Sequence, residues 1–233
     1  MNESNITYNG LPRIHPDMKI SPDHIKNLVA MIARYGLGKK LGIHLLHKHE
    51  SIPDGQVKLE KKLETTSGKW VRPISIDSLN LNNIHGVAFK VVPGENRLVP
   101  YEFGEGISPV CKSDVADNGC VKDFISYTTK HDLVDAISLQ FLDGQPKECT
   151  AEVELEQYGT IVLPKSMVNG IEFTPTGWPD STQPVEPEGS APGEHWAKVK
   201  VGTKETHRVF VDQVEDEKEL MDKLILQGVI IKV

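Results

Sequence analysis

Between Leu41 and Leu163 the chain never keeps one hydrophobic period for long, and this restricts it to a fold built from short strands. The segments Leu41 to His49, Gln56 to Thr65, Val87 to Val92, Leu98 to Phe103, Phe124 to Thr128 and Ala151 to Leu163 read as strands or strand pairs. Side chains along a strand alternate between its two faces, so each segment offers one face to a core. Turn residues separate the segments. Glu50-Ser51-Ile52-Pro53-Asp54-Gly55 lies between the first two, which predicts a hairpin, and Tyr158-Gly159 breaks the last.

Elsewhere the helical period takes over. Ser21 can cap a helix that has Pro22 at its first position and Asp23 in its first turn. Ile25, Leu28, Val29 and Ile32 then fall on one face, and Gly36 stops the run. Near the other end, Glu215 to Gln227 starts acidic, carries Leu220, Leu224 and Ile225 on one side, and stops at Gly228. Leu133, Val134, Ile137 and Phe141 also fit helical spacing, which predicts a helix over His131 to Phe141. Residues 1–20, with Pro12 and Pro16, read as an extended arm. Residues 174–195 hold Pro175, Pro179, Pro184, Pro187 and Pro192, and read as a long proline-rich loop. Trp196 to Val201 and Glu205 to Gln213 read as strands, and Val229-Ile230-Ile231 as a short one. The expectation is a single domain over residues 1–233 of α+β class: a β-rich barrel or sandwich with an N-terminal helix and a C-terminal helix.

Bulk properties narrow the function. At 233 residues the chain can bury a core without disulfide or metal staples. Its formal net charge of −7 lacks the basic footprint that nucleic acid or an anionic membrane surface requires. No apolar run approaches the roughly 20 residues that cross a bilayer. The start, Met1-Asn2-Glu3-Ser4-Asn5, is polar and has no signal-peptide pattern. Cys111, Cys120 and Cys149 are few and odd in number, which favours thiols in a reducing compartment. With His131 they lack the paired Cys-x-x-Cys clips of structural zinc sites. A soluble cytoplasmic protein with a small-molecule substrate is expected, with no nucleic-acid or membrane partner. Nothing indicates the oligomeric state.

The chemistry-bearing feature is His44-Leu45-Leu46-His47-Lys48-His49. On a continuous strand, His47 and His49 share a face with Leu41, Ile43 and Leu45, and His44 turns to the other face. Positions two apart are separated by roughly 6.5–7 Å at their α-carbons. Imidazoles leaning together from there can each reach one ion at roughly 2.1 Å. A catalytic centre usually needs a third protein ligand. With a simple register around the 51–55 turn, Glu60 points away. Face parity ranks His207 first, beside Val209 and Val211, then His85, beside Val87 and Phe89, then Glu102. Such a donor set suits a divalent metal ion, zinc or iron.

The His-x-His strand resembles in part the first motif of the cupins, small metal-binding β-barrels. A cupin would place a glycine at position 41, where this chain has Leu41 followed by Gly42, and an acidic residue at Pro53 or Asp54. The second cupin motif is approached only by Pro192-Gly193-Glu194-His195, at the wrong spacing. The resemblance implies a barrel architecture. Leu45-Leu46-His47-Lys48-His49 is also similar to Leu-Leu-His-x-His stretches of uncharacterised fungal proteins, a resemblance that implies no activity. No G-x-S-x-G, Walker loop or H-E-x-x-H is present. The leading expectation is a metal-dependent enzyme acting on a small molecule, with hydrolase, lyase and oxygenase all open. Beside it stand a non-catalytic binding or scaffold protein with structural histidines, and a metal-free enzyme using one histidine as acid or base.

Overall fold

The computed structural model describes residues 1–15, 18–110, 119–142, 149–169, 173–179, 195–198, 214 and 216–231. In chain order the elements are α1 (Asn2–Asn9), α2 (Pro22–Arg34), β1 (Leu41–Leu45), β2 (Gln56–Lys62), β3 (Lys69–Ser75), β4 (Ile84–Val92) and β5 (Arg97–Glu105). There follow α3 (Cys120–Lys130), β6 (Ile137–Phe141), β7 (Thr150–Glu154), β8 (Thr160–Pro164), β9 (Phe173–Trp178), β10 (His195–Lys198) and α4 (Glu217–Leu226). The strands close a barrel in the order β1-β6-β4-β5-β2-β3-β8-β7-β10-β9, and β9 returns to β1 through Ile43–Trp178 and His44–Gly177. β2–β5 and β7–β10 run parallel, while the other neighbours are antiparallel. Among the described residues, every strand has a neighbour on each side.

The apolar faces of the strands point outward, where helices cover them. Leu28 and Ile32 of α2 and Phe124 of α3 pack on Ile43, Ile137 and Leu139. Leu220 and Leu224 of α4 pack on Val153, Ile161 and Leu163. Alternation therefore turns the intervening polar residues into the barrel. In β7, Ala151 and Val153 join the α4 cluster while Thr150 and Glu152 line an interior cavity. The α+β, β-rich expectation holds, and so do the helices near the two ends.

The N-terminal segment is not wholly an extended arm, because α1 occupies Asn2–Asn9. Its role is visible in its hydrogen bonds. Asn5 Nδ2 donates to the carbonyls of Pro53 and Gln56, at 2.8 and 2.9 Å. Asn9 donates to the Ile52 carbonyl and accepts from its amide, both at 2.9 Å. Downstream, the Lys48 amide donates to Pro12 and the Ile14 amide to Lys48. Residues 46–55 have few sheet partners of their own, so the N-terminal segment supplies what their backbone groups require.

Several other expectations are corrected. β1 ends at Leu45 and pairs with β6 and β9, so no hairpin forms with β2. Phe124 to Thr128 lies within α3, where Cys120, Phe124, Ile125 and Thr128 make one buried stripe. His131 to Phe141 is not a helix; its end is β6, whose Ile137 and Leu139 face outward to α2 and α3. Residues 174–195 are not all loop, since β9 runs to Trp178 and β10 begins at His195. Pro175 is accommodated where the β9–β10 register shifts between His195 and Trp196. Only Ile230 of the 229–231 run pairs, in an isolated bridge to Val168. Glu205 to Gln213, and residues 180–194 of the proline-rich stretch, lie outside the described residues.

The β7–β8 turn depends on a glycine. Gly159 has φ +85°, and a Cβ there would meet the Val71 carbonyl oxygen at 2.1 Å. Gly159→Ala is expected to destabilise the protein by about 2–4 kcal/mol, combining backbone strain and overlap. Urea denaturation monitored by circular dichroism checks this.

Candidate metal centre

Two separated parts of the chain build the site. The Leu46 amide makes a last bond along the β1–β6 register, to the Ala136 carbonyl, and Lys48 then pairs with the N-terminal segment instead. That irregular path brings His47 and His49 to the same cavity. Glu152 comes from the middle of β7, turned inward by strand alternation. His47 and His49 are 6% and 7% exposed, and the Glu152 side chain is 12% exposed.

The polar geometry is unusual for groups so deeply placed. His47 Nδ1 lies 2.9 Å from the Leu45 carbonyl. A carbonyl can only accept, so Nδ1 carries the proton and Nε2 keeps a bare lone pair. Burial holds the His47 pKa below its ordinary value, which favours this neutral form. Its Nε2 nevertheless faces Glu152 Oε2 at 3.5 Å, a lone pair against a carboxylate. His49 Nε2 lies 2.8 Å from Glu152 Oε1, yet the alignment is too poor for a hydrogen bond and this buried nitrogen has no other partner. Both arrangements become favourable with a cation between the groups. For His49, burial opposes the charged form most strongly, but Glu152 and Glu154 together outweigh it and raise its pKa. Glu154 Oε2 stands 3.9 Å from His49 Nδ1.

One donor atom from each of His47, His49 and Glu152 lies within 4.8 Å of the others, close enough to bind a metal ion. Bonds of about 2.1 Å set ligands about 3–4 Å apart, so small side-chain rotations complete the set.

These groups line a cavity of about 180 Å³ inside the barrel. His44 lines it too, its ring centroid 5.1 Å from that of His47. Lys58, 1% exposed, reaches the cavity with its Nζ 2.5 Å from Glu50 Oε1, and Lys69 binds Glu60 at 2.7 Å. Glu102 is half-buried on the wall. Burial, followed by the Glu152 charge, pushes its carboxyl up to about 7. Tyr101 of β5 donates to Ser138 Oγ of β6, whose hydroxyl donates to the His44 carbonyl, tying β5 to the β1–β6 pair.

Of the residues proposed from sequence, His47 and His49 do come together. His85 does not join them: it sits at the start of β4 with Nδ1 3.2 Å from the Gly106 carbonyl, beside a separate surface groove. His207 lies outside the described residues. Glu102 reaches the cavity but not the donor set. His44 and Glu60 were expected to turn away and instead line the cavity, because β1 ends before its parity can separate His44 from His47. Glu152 was missed. Its signal was a carboxylate at alternate positions, Glu152 and Glu154, between the apolar Ala151, Val153 and Leu155.

Two outcomes follow from this geometry. A divalent ion must displace the proton favoured at His49, so zinc affinity should fall about tenfold per pH unit on the acid side, with a proton released on binding. Calorimetry in buffers of different ionisation enthalpy measures both, and pH-independent affinity would contradict the ligand assignment. Asn5→Ala should cost about 1–3 kcal/mol by unpairing the Pro53 and Gln56 carbonyls, in the turn region that follows His49, and should weaken zinc binding as well. No protein-family model matches the chain, and no curated protein and no solved structure matches it either.

Proposed function

We propose that this protein is a metal-dependent enzyme acting on a small molecule in the barrel cavity, with His47, His49 and Glu152 holding a divalent zinc or iron ion. The observation that carries this reading is the convergence of three buried donors, from distant parts of the chain, on the wall of a cavity. A structural zinc site is closed by a fourth protein ligand, whereas the three donors found among the described residues stand beside a cavity and leave positions for water or substrate. Two histidines and one carboxylate serve catalytic zinc and also non-haem iron, so the donor set fits hydrolase, lyase and oxygenase chemistry alike. The ion would supply Lewis acidity to an oxygen bound beside it.

The surrounding side chains would do the rest. The Leu45 carbonyl fixes the His47 tautomer, and Glu154 beside His49 Nδ1 is placed to orient the second ring. Glu102, with its carboxyl near 7, can hold or release a proton at neutral pH. The Lys58–Glu50 and Lys69–Glu60 pairs hold charged ends in fixed positions on the wall.

Mass-spectrometric metal analysis of protein purified without chelators, and after anaerobic reconstitution with Zn²⁺ or Fe²⁺, tests the proposal. About one equivalent is expected, lost in the His47→Ala/His49→Ala double variant. Less than about a tenth of an equivalent, unchanged in that variant, would leave the histidines structural and favour a non-catalytic binding protein.

A further inference from the structure

The interior cavity has two unlike ends. At the end covered by α1, Tyr8, Leu46, Ile52 and Tyr101 pack into one cluster, none of them more than 4% exposed. Tyr8 and Tyr101 also line the cavity, so close-packed side chains stop it there. Leu46 of that cluster directly precedes His47, which sets the histidine donors toward the closed end.

The opposite end lies where β2 finishes at Lys62 and β3 begins at Lys69, residues that pair with each other. Cavity-lining residues at this rim are more open to solvent. Ser67 is exposed, and Lys69, Phe141, Leu142 and Thr150 are half-buried. The groove beside His85 reaches the same rim. It holds about 410 Å³, its walls include Lys62, Val87 and Ile107, and it shares Glu60 and Phe141 with the cavity. Strand directions place it there, since Glu60 stands opposite Gly104 on parallel β5 and Gly104 opposite His85 at the start of β4.

The rim is also held in shape. Glu217, the first residue of α4, accepts hydrogen bonds from the Glu64 and Thr65 amides and the Thr65 hydroxyl, between 2.7 and 3.0 Å. The Leu63 amide donates to the Gly68 carbonyl at 3.0 Å, and Lys69 fixes Glu60 at 2.7 Å.

We propose that ions and small molecules reach the His47–His49–Glu152 donors through this rim, with the groove leading inward and Glu60 at the throat. Residues of the 63–68 turn then set how fast a ligand arrives without touching it once bound. The entrance is a property of the barrel and holds whether or not an ion occupies the donors.

The test uses the metal-free full chain and diethyl pyrocarbonate, a small reagent that acylates neutral imidazole. Mass spectrometry of proteolytic peptides follows His44, His47 and His49 together, with the exposed His131 as internal reference. Ser67→Trp and Ser67→Arg put large side chains on the rim, and Ile6→Trp puts one on the outside of α1, where Ile6 is 65% exposed. Each rim variant is expected to slow acylation of the three cavity histidines at least about fivefold, because a filled opening leaves no passage through packed walls. His131 should react at its usual rate throughout, and Ile6→Trp should leave the cavity histidines as reactive as before. Unchanged cavity rates in both rim variants, or an equal slowing in Ile6→Trp, would overturn the proposal. Zinc kinetics give a second readout. Ser67→Trp should slow zinc association and its release to a chelator by the same factor and leave Kd unchanged. A weaker Kd at an unchanged association rate would overturn the proposal as well. Slowed acylation in a chain that takes up no zinc would support the entrance and count against the metal centre alone.

Discussion

The structure turns on a carboxylate placed where water scarcely reaches. Glu152 projects into the barrel between two imidazoles, and only 12% of its side chain stays exposed. An isolated buried charge is among the costliest things a fold can contain, so it persists only with compensating partners. Here the partners are two histidines, one of them kept toward its neutral form by burial and fixed in its tautomer by the bond to the Leu45 carbonyl. That arrangement is incomplete in terms of protons and complete in terms of a cation. The same alternation that turns Glu152 inward places its neighbours Ala151 and Val153 outward, in the cluster with Leu220 and Leu224.

A barrel with a polar interior cannot be stabilised from the inside. Its hydrophobic driving force has to come from the outer surface, and the helices supply the covering. α2 and α3 shield one flank, α4 the other, and the side chains beneath them include Leu28, Ile43, Leu139, Leu163 and Leu220, all at most 1% exposed. Burying each such side chain is worth about 1.5–3 kcal/mol, enough for a few helices to support a cavity full of charge. The ion pairs inside then set position more than they add stability, since buried pairs roughly offset their own desolvation.

Much of this was legible in the residues. The helix from Pro22, the acidic-start helix near the C-terminus and most central strands follow from periodicity and caps, because those signals are local. The His47–His49 pair was legible for the same reason. Two local readings failed, since Phe124 to Thr128 is helical and Ile137–Phe141 is a strand, and the rest of what failed was long-range. The partner of β1 could not be read from the 51–55 turn, because β1 pairs instead with β6 and β9 and the turn region is bound by α1. Parity misplaced His44 because it assumed a strand that continues past Leu45. Glu152 was overlooked because a carboxylate in an amphipathic strand ordinarily faces solvent. Only the outward placement of the apolar face, decided by α4, makes it an interior group.

The N-terminal helix has a consequence in time as well as in space. Its Asn5 holds Pro53 and Gln56 across separations of 48 and 51 residues, and β9 closes the ring on β1. Contacts so distant in sequence carry a large loop-closure entropy and form late during folding. His49 and Glu152 belong to the two sides that this closure joins. An ion held by that donor set would therefore mark molecules in which residues 1–15 and the β9–β1 closure are both in place.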